Sequence, residues 1–189
     1  MPNNIPNALT WGRILLIPLI VGVFYLPQSV LSAAHQNLLA CAIFVVAALT
    51  DWFDGYAARS LGQSSAFGAF LDPVADKLMV GAALIMLVQL DRCDAIFAFI
   101  IIGREITISA LREWMARIGA SKSVAVSFIG KLKTAAQMVA IPMLLYHDEL
   151  LGLPIQKMGT VLLIIAAILT LWSMVYYLRM AAPELGRER

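Results

Sequence analysis

Residues 51–76 read DWFDGYAARSLGQSSAFGAFLDPVAD and join two long apolar segments through a short polar turn. The stretch holds four aspartates in a chain that is 61% hydrophobic and only 14% charged. On helices, Asp51 and Asp54 are spaced i, i+3, and Asp72 and Asp76 are spaced i, i+4, so each pair shares one helix face. The turn ARSLGQSS predicts that the two helices are antiparallel and that their acidic faces meet.

Apolar runs of membrane-spanning length extend outward from this turn. They fall at 7–27, 35–58, 66–90, 94–117, 124–146 and 154–180. A helix of about 20 apolar residues crosses a bilayer core, and lipid permits no unpaired backbone groups. Soluble domains carry about 25% charged residues, well above the fraction found here. We therefore predict an all-α polytopic membrane protein, a six-transmembrane-helix bundle that forms a single domain over residues 1–189.

The first apolar run, LLIPLIVGVFYL (15–26), has the length of a signal-peptide core. Only one basic residue, Arg13, precedes it, and five further apolar runs follow, so we expect a retained first span. The two cysteines, Cys41 and Cys93, lie in or beside apolar runs and are expected to be buried free thiols.

Basic residues are distributed unevenly between the two sides of the predicted bundle. Every Lys and Arg except Arg92 and Lys157 falls on the side of the two termini and of the second and fourth loops. Cytoplasmic sides of membrane proteins carry an excess of Lys and Arg. Both termini and the four aspartates are therefore predicted to face the cytoplasm.

The four aspartates need a source of positive charge. One ionised aspartate at membrane depth costs about 2.5–3.5 kcal/mol, so four would cost roughly 10 kcal/mol. The nearby cations Arg59 and Lys77 are too few to neutralise them. Oxygen ligands suit Mg²⁺ or Mn²⁺, and two such ions bridged by carboxylates serve in-line displacement at phosphorus. Gly55 and Gly68 lack a Cβ and let a bulky ligand approach the acidic faces.

The order Asp51-x-x-Asp54-Gly55-x-x-Ala58-Arg59, then Gly68, Asp72 and Asp76, resembles the signature of the CDP-alcohol phosphatidyltransferase family. The resemblance implies a six-helix fold in the bacterial cytoplasmic (inner) membrane, a homodimer and a cytoplasm-facing active site. It also implies two divalent ions. Asp51, Asp54 and Asp72 would hold one ion, Asp51, Asp72 and Asp76 the other, and Asp76 would act as general base.

Three flanking segments resemble one branch of this family. They are NIPNALTWGRILLIPLIVGVF, GREITISALREWMA and SVAVSFIGKLKTAAQMVA. The resemblance implies transfer of a phosphatidyl group from CDP-diacylglycerol to the 1-hydroxyl of sn-glycerol 3-phosphate, with release of CMP, among membrane lipids and without a nucleic-acid partner. Residues expected at the CDP site are Asn7, Thr10, Arg13, Asp51, Gly55, Ala58, Arg59 and Gly68.

The acceptor carries a phosphate dianion and needs fixed positive charge. Arg104 and Arg112 are spaced i, i+8 and share a helix face, where they could grip a phosphate. Lys131 and Lys133 lie about 200° apart on a helix, so at most one is expected at the same pocket. All four could instead extend to the headgroups. Glu105 could orient an arginine or serve as an ion-pair partner without a catalytic part.

Aromatic residues near the helix ends are expected at the lipid surface or in the interfacial belt. They are Trp52, Phe53, Trp172, Tyr176 and Tyr177.

Other functions remain open at this point. A divalent-cation pathway would need polar residues through the whole membrane, and the ionisable residues stop at the cytoplasmic end. A membrane prenyltransferase would leave the glycine and Ala-Arg positions unexplained. Within the resembled family, cardiolipin synthase and phosphatidylinositol-phosphate synthase use other acceptors.

Overall fold

The computed structural model describes residues 5–61, 66–119 and 128–185, with side chains omitted at 5–9, 52, 54–61, 66–67, 69, 128–129 and 184–185. Within these residues the chain forms six α-helices, which confirms the predicted helical class. They are α1 (Ile5–Val23), α2 (Ala33–Leu61), α3 (Ala66–Gln89), α4 (Ala95–Arg117), α5 (Phe128–Tyr146) and α6 (Ile155–Leu185). The described residues contain no β-strand, only an isolated bridge between Leu150 and Leu153.

The limits of α4 follow from its flanking residues. Asp94 caps the N-terminus, where its carboxylate accepts a hydrogen bond from the backbone nitrogen of Ile96 at 2.9 Å. Beyond Arg117, Gly119 adopts a positive φ of 75°, a conformation that glycine reaches without strain and that commonly ends helices. Helix α4 therefore begins and ends at local sequence signals.

Helices that are consecutive in the chain alternate in direction, as α1 and α2 do where Arg13 meets Asp51, so α1 and α3 run the same way. Near the start of α1, Thr10 contacts Asp72 of α3, while Tyr25, just beyond the end of α1, contacts Gln89 at the end of α3. Helix α1 packs on α2 and α3, α5 packs on α2 and α6, and α4 packs on α3 and α6. The bundle thus has an acidic end, marked by Asp51 and Asp72, and an opposite end, marked by Gln89 and Arg92.

Two apolar clusters hold the helices together. The larger contains residues from all six helices, and its fully buried members include Ile20, Phe44, Leu84, Ile101 and Ile141. The smaller lies between α4 and α6; its buried members are Ile108, Met115, Tyr177 and Ala181. Helices α5 and α6 approach closely, since a Cβ on Gly159 would lie 3.0 Å from Cγ of Leu144.

Large apolar side chains also cover the outside of the helices. Examples are Leu15 on α1, Val46 on α2, Phe70 on α3, Phe99 on α4, Val139 on α5 and Trp172 on α6, each more than half exposed. Two described stretches are long and apolar enough to cross a membrane, Ala33–Asp51 and Ile155–Pro183, and Thr10–Val23 is a shorter apolar stretch. Exposed apolar surface of this kind indicates association with a membrane.

A polar network, here called the Arg92 network, ties the opposite end together. Arg92 donates to the carbonyl oxygens of Leu145 at 2.9 Å and Leu144 at 3.4 Å, and to Oδ1 of Asn37 at 2.7 Å. Nδ2 of Asn37 donates in turn to Oδ2 of Asp148 at 3.4 Å. The network joins α2, the α3–α4 connection and the end of α5.

Candidate active site

Two residues near the start of α1 contact aspartates on α2 and α3 at the acidic end. Nη1 of Arg13 lies 2.7 Å from Oδ1 of Asp51; the Arg13 side chain is fully buried and that of Asp51 is 45% exposed. Oγ1 of Thr10 donates to Oδ1 of Asp72 at 2.5 Å. Thr10 and Arg13 are spaced i, i+3 and share one face of α1, so this face orients carboxylates on both α2 and α3. Gly68, one turn before Asp72, is buried.

Asp76 lies among charges of both signs. Asp51 and Glu105 are close enough to repel its carboxylate, while Arg13 and Lys77 attract it. Residues from three helices therefore bring carboxylates together: Asp51 from α2, Asp76 from α3 and Glu105 from α4. Mutual repulsion of this kind costs folding free energy unless a bound cation offsets it.

A second charged group, here called the Glu105 cluster, lies beside the acidic residues. It consists of Glu105, Arg104, Lys133 and Ser173. Oε1 of Glu105 contacts Nη1 of Arg104 at 3.0 Å and also accepts from Nζ of Lys133. Nη2 of Arg104 donates to Oγ of Ser173 on α6 at 3.2 Å. Lys133 and Arg104 are both buried, so one carboxylate holds two buried cations from α4 and α5.

Tyr177 of α6 lies between two arginines of α4. The Cζ atoms of Arg104 and Arg112 lie 5.6 Å and 5.2 Å from the centre of its ring, within the range of cation–π attraction. Nη2 of Arg112 also donates to the Tyr177 hydroxyl at 3.2 Å. The shared face predicted for the two arginines is thus observed. The prediction that Tyr177 faces lipid is wrong, because its side chain is fully buried against these guanidinium groups.

Comparison with known protein families identifies the family to which this chain belongs. The family model described as CDP-alcohol phosphatidyltransferase matches residues 3–172, most of the chain and all of the acidic residues above. The chain belongs to the CDP-alcohol phosphatidyltransferase family. Members of this family generally use divalent metal ions.

Curated relatives match the chain along nearly its full length. Proteins named CDP-diacylglycerol–glycerol-3-phosphate 3-phosphatidyltransferase from Salmonella choleraesuis and Escherichia coli are 48% and 49% identical to it, over 187 residues. The protein of the same name from Shigella flexneri is 49% identical. Each alignment covers 98% of this chain and 98% of the relative.

The donor chemistry of the acidic end fits the divalent ions that the family uses. Asp51, Asp72 and Asp76 supply only oxygen ligands, and Asp51 lies close enough to repel Asp76. The described side chains include no group of three or more His, Cys, Asp or Glu residues arranged to hold a metal ion. The described set omits the Asp54 side chain, which belongs to the predicted ligands.

Several predicted site positions lie outside the described side chains: Asn7, Asp54, Gly55, Ala58 and Arg59. Of the two lysines, Lys131 is exposed and Lys133 is buried against Glu105, so one lysine reaches the charged cluster. Residue spacing within one helix carried no signal for Ser173 or for the link between Arg13 and Asp51, since both contacts join different helices.

Proposed function

We propose that this protein transfers a phosphatidyl group from CDP-diacylglycerol to sn-glycerol 3-phosphate, forming phosphatidylglycerophosphate and CMP. The observation that carries the proposal is the near-complete overlap with relatives named for this activity. The geometry supports it, because carboxylates suited to a cation-bound pyrophosphate adjoin buried cations suited to an acceptor phosphate.

The binding site for the donor, CDP-diacylglycerol, is assigned to the acidic end. We propose that Asp51, Asp54, Asp72 and Asp76 hold two divalent ions, Mg²⁺ or Mn²⁺. When bound, these ions neutralise the charge of the donor's pyrophosphate. Thr10 and Arg13 orient Asp72 and Asp51, and complete the CDP site together with Asn7, Gly55, Ala58, Arg59 and Gly68.

Asp76 is proposed as the general base. It accepts the proton of the acceptor's 1-hydroxyl while that oxygen bonds to the β-phosphorus of the donor. The bond from this phosphorus to the CMP oxygen breaks, and CMP leaves with the electron pair. The position of Asp76 supports this role, because it lines one small cavity together with Glu105 and Lys133 of the Glu105 cluster.

The acceptor phosphate is assigned to Arg104, Arg112 and Lys133. Two of these cations are buried, which strengthens their attraction for a dianion relative to the same charges in water. Glu105 and Tyr177 fix their positions through an ion pair and ring stacking. Lys131, which is exposed, is left to contact the phosphate headgroups of surrounding lipids.

The bundle is proposed to span the bacterial inner membrane six times as a single domain over residues 1–189 and as a homodimer. Outward-facing apolar side chains on every helix and the alternation of helix direction support the multi-pass arrangement. The excess of Lys and Arg at the acidic end supports a cytoplasmic location for both termini and the active site.

The test is CMP release by the purified protein with CDP-dioleoylglycerol and Mg²⁺. Glycerol 3-phosphate, phosphatidylglycerol, inositol phosphate and serine are offered separately, with Asp76→Asn as control. We expect release with glycerol 3-phosphate alone and its loss in the variant. Release driven by another acceptor would contradict the assigned acceptor, and no release with any acceptor would contradict the transferase assignment.

A further inference from the structure

A small cavity between α3, α4 and α5 contains a buried polar group that the proposed chemistry does not use. The cavity measures about 40 Å³ and is lined by Asp76, Lys77, Glu105, Lys133, Thr134 and Gln137, among others. A water-sized group needs about 10–15 Å³, so the cavity holds about three such groups. This space admits part of a small alcohol but not a whole phosphorylated one.

Gln137 is the unpaired member of this cavity wall. Its side chain is 4% exposed, and its Oε1 is fully buried without a hydrogen-bond donor among the described residues. The polar neighbours on its own face of α5 donate to other groups. Lys133, one turn earlier, is bonded to Glu105, and the Thr134 hydroxyl donates to the carbonyl oxygen of Gly130 at 3.0 Å.

The chemistry of a carboxamide limits what can bind there. A buried hydrogen-bond acceptor without a donor costs about 1–3 kcal/mol, so the position favours a ligand that donates a hydrogen bond. A phosphate dianion accepts hydrogen bonds and donates none. A hydroxyl both donates and accepts, and so can pair with either end of the carboxamide.

We propose that Gln137 is a specificity residue that binds the secondary hydroxyl of the acceptor alcohol. This rests on the proposed function, in which the neighbouring primary hydroxyl attacks and gives its proton to Asp76. Because Asp76 and Gln137 line the same cavity, two adjacent hydroxyls of one small polyol can reach both side chains. The acceptor phosphate then lies outside the cavity, toward Arg104 and Arg112.

The experiment compares two acceptors that differ only in this hydroxyl. Glycerol 3-phosphate has it, and 3-hydroxypropyl phosphate keeps the primary hydroxyl and the phosphate but lacks it. For the wild-type protein we expect kcat/KM for CMP release to favour glycerol 3-phosphate about 10- to 100-fold, because the analogue leaves the carboxamide unpaired. In Gln137→Met, which has nearly the same shape without polar atoms, the preference should fall to within about threefold.

Gln36 provides a matched control at the opposite end of the bundle. It is also buried, but its Nε2 donates to the carbonyl oxygen of Leu26 at 2.8 Å. Gln36→Met should lower the melting temperature and leave the acceptor preference unchanged. Gln137→Met should keep or raise the melting temperature, since it removes an unpaired buried group. Gln137→Leu serves as a second variant with the same expectation.

Three results would overturn the inference. One is a wild-type protein that does not distinguish the two acceptors. Another is a Gln137 variant that folds and keeps the wild-type preference, as expected if Gln137 binds only water. If the wild-type protein releases CMP with neither acceptor, the proposed function fails as well, so the two failures are distinguished by the glycerol 3-phosphate reaction itself.

Discussion

The two ends of this helical bundle both contain charged groups below the surface, but the groups are balanced differently. In the Arg92 network, one guanidinium meets two backbone carbonyls and the oxygen of Asn37, and the Asn37 amide meets the carboxylate of Asp148. At the acidic end, Asp51 and Glu105 each repel Asp76. The first arrangement satisfies its members within the protein, while the second brings carboxylates close enough to repel.

This difference separates a structural network from a binding site. A buried charge that finds its partners within the chain gains nothing from a ligand, and removing one of those partners destabilises the fold. Carboxylates that repel one another reduce stability, and are retained where a bound cation or substrate offsets the cost. The four predictions that follow test this distinction in decreasing order of expected effect.

The largest effect is expected at Asp76. Asp76→Asn should reduce the rate of CMP formation by about 10²- to 10⁴-fold, because the general base is lost. It should also raise the melting temperature, because the repulsion from Asp51 and Glu105 disappears. The matched change at the opposite end, Asp148→Asn, should leave the rate within about twofold. An Asp76→Asn protein that melts earlier than the wild type would contradict a destabilising repulsion at this end.

The next prediction concerns the thiol of Cys93, in the connection between α3 and α4. Burial raises the pKa of this thiol from 9.0 to about 11. At pH 8 the thiolate fraction should therefore be about a hundredfold lower than for an ordinary thiol, and alkylation correspondingly slow. Iodoacetamide labelling in a Cys41→Ala background measures the alkylation rate of Cys93, which should rise as the pH approaches 11. Labelling at the rate of a free peptide thiol would show that the opposite end is open to solvent.

A smaller effect is expected when the Arg92 network is broken. Arg92→Met leaves the Asn37 oxygen and two α5 carbonyls without their donor, which should cost about 2 kcal/mol and lower the melting temperature by about 4–8 °C. The KM values should not change. Arg117→Met is the control, because Arg117 is exposed and, within the described part of the chain, pairs only with exposed Glu113. Equal melting temperatures for the two variants would contradict the structural role assigned to the Arg92 network.

The smallest effect is expected at the Tyr177 hydroxyl. Tyr177→Phe keeps the ring between Arg104 and Arg112 but removes the oxygen that accepts from Arg112. The KM for glycerol 3-phosphate should rise about three- to tenfold, with the KM for CDP-diacylglycerol unchanged. Tyr176→Phe, the neighbouring and more exposed tyrosine, should leave both values unchanged. A rise in the KM for CDP-diacylglycerol alone would instead assign Tyr177 to the binding site of the donor.

The sequence was sufficient to predict the helices and the acidic residues, because both depend on local patterns. Apolar runs set the six helical segments, and the aspartate spacing places each pair on one face. Helix α6 shows where local patterns fail. Tyr176 and Tyr177 both lie in a helix that is apolar on every side, and lipid and protein core are equally apolar, so the pattern does not tell which of the two is buried.

Contacts between different helices were the other part that the sequence did not predict. The sequence places only Arg59 and Lys77 near the aspartates, yet Arg13 of α1 is the cation that binds Asp51. The sequence suggests Glu105 as a partner of an arginine, but Glu105 also binds Lys133, 28 positions away. Such pairs depend on how the helices pack together, which residue spacing within one helix does not specify.

The close approach of α5 and α6 at Gly159 has a consequence for which sequences the fold accepts. Lys133 and Gln137 project from α5 and Ser173 and Tyr177 from α6, so the distance between these helices sets the spacing of the basic half of the site. A side chain at Gly159 would meet Leu144 and Met143 at about 3.0–3.2 Å and force the helices apart. In a saturation-mutagenesis library selected only for enzymatic activity, bulky residues at Gly159 should be depleted, although this glycine lies at the opposite end of the bundle from the aspartates.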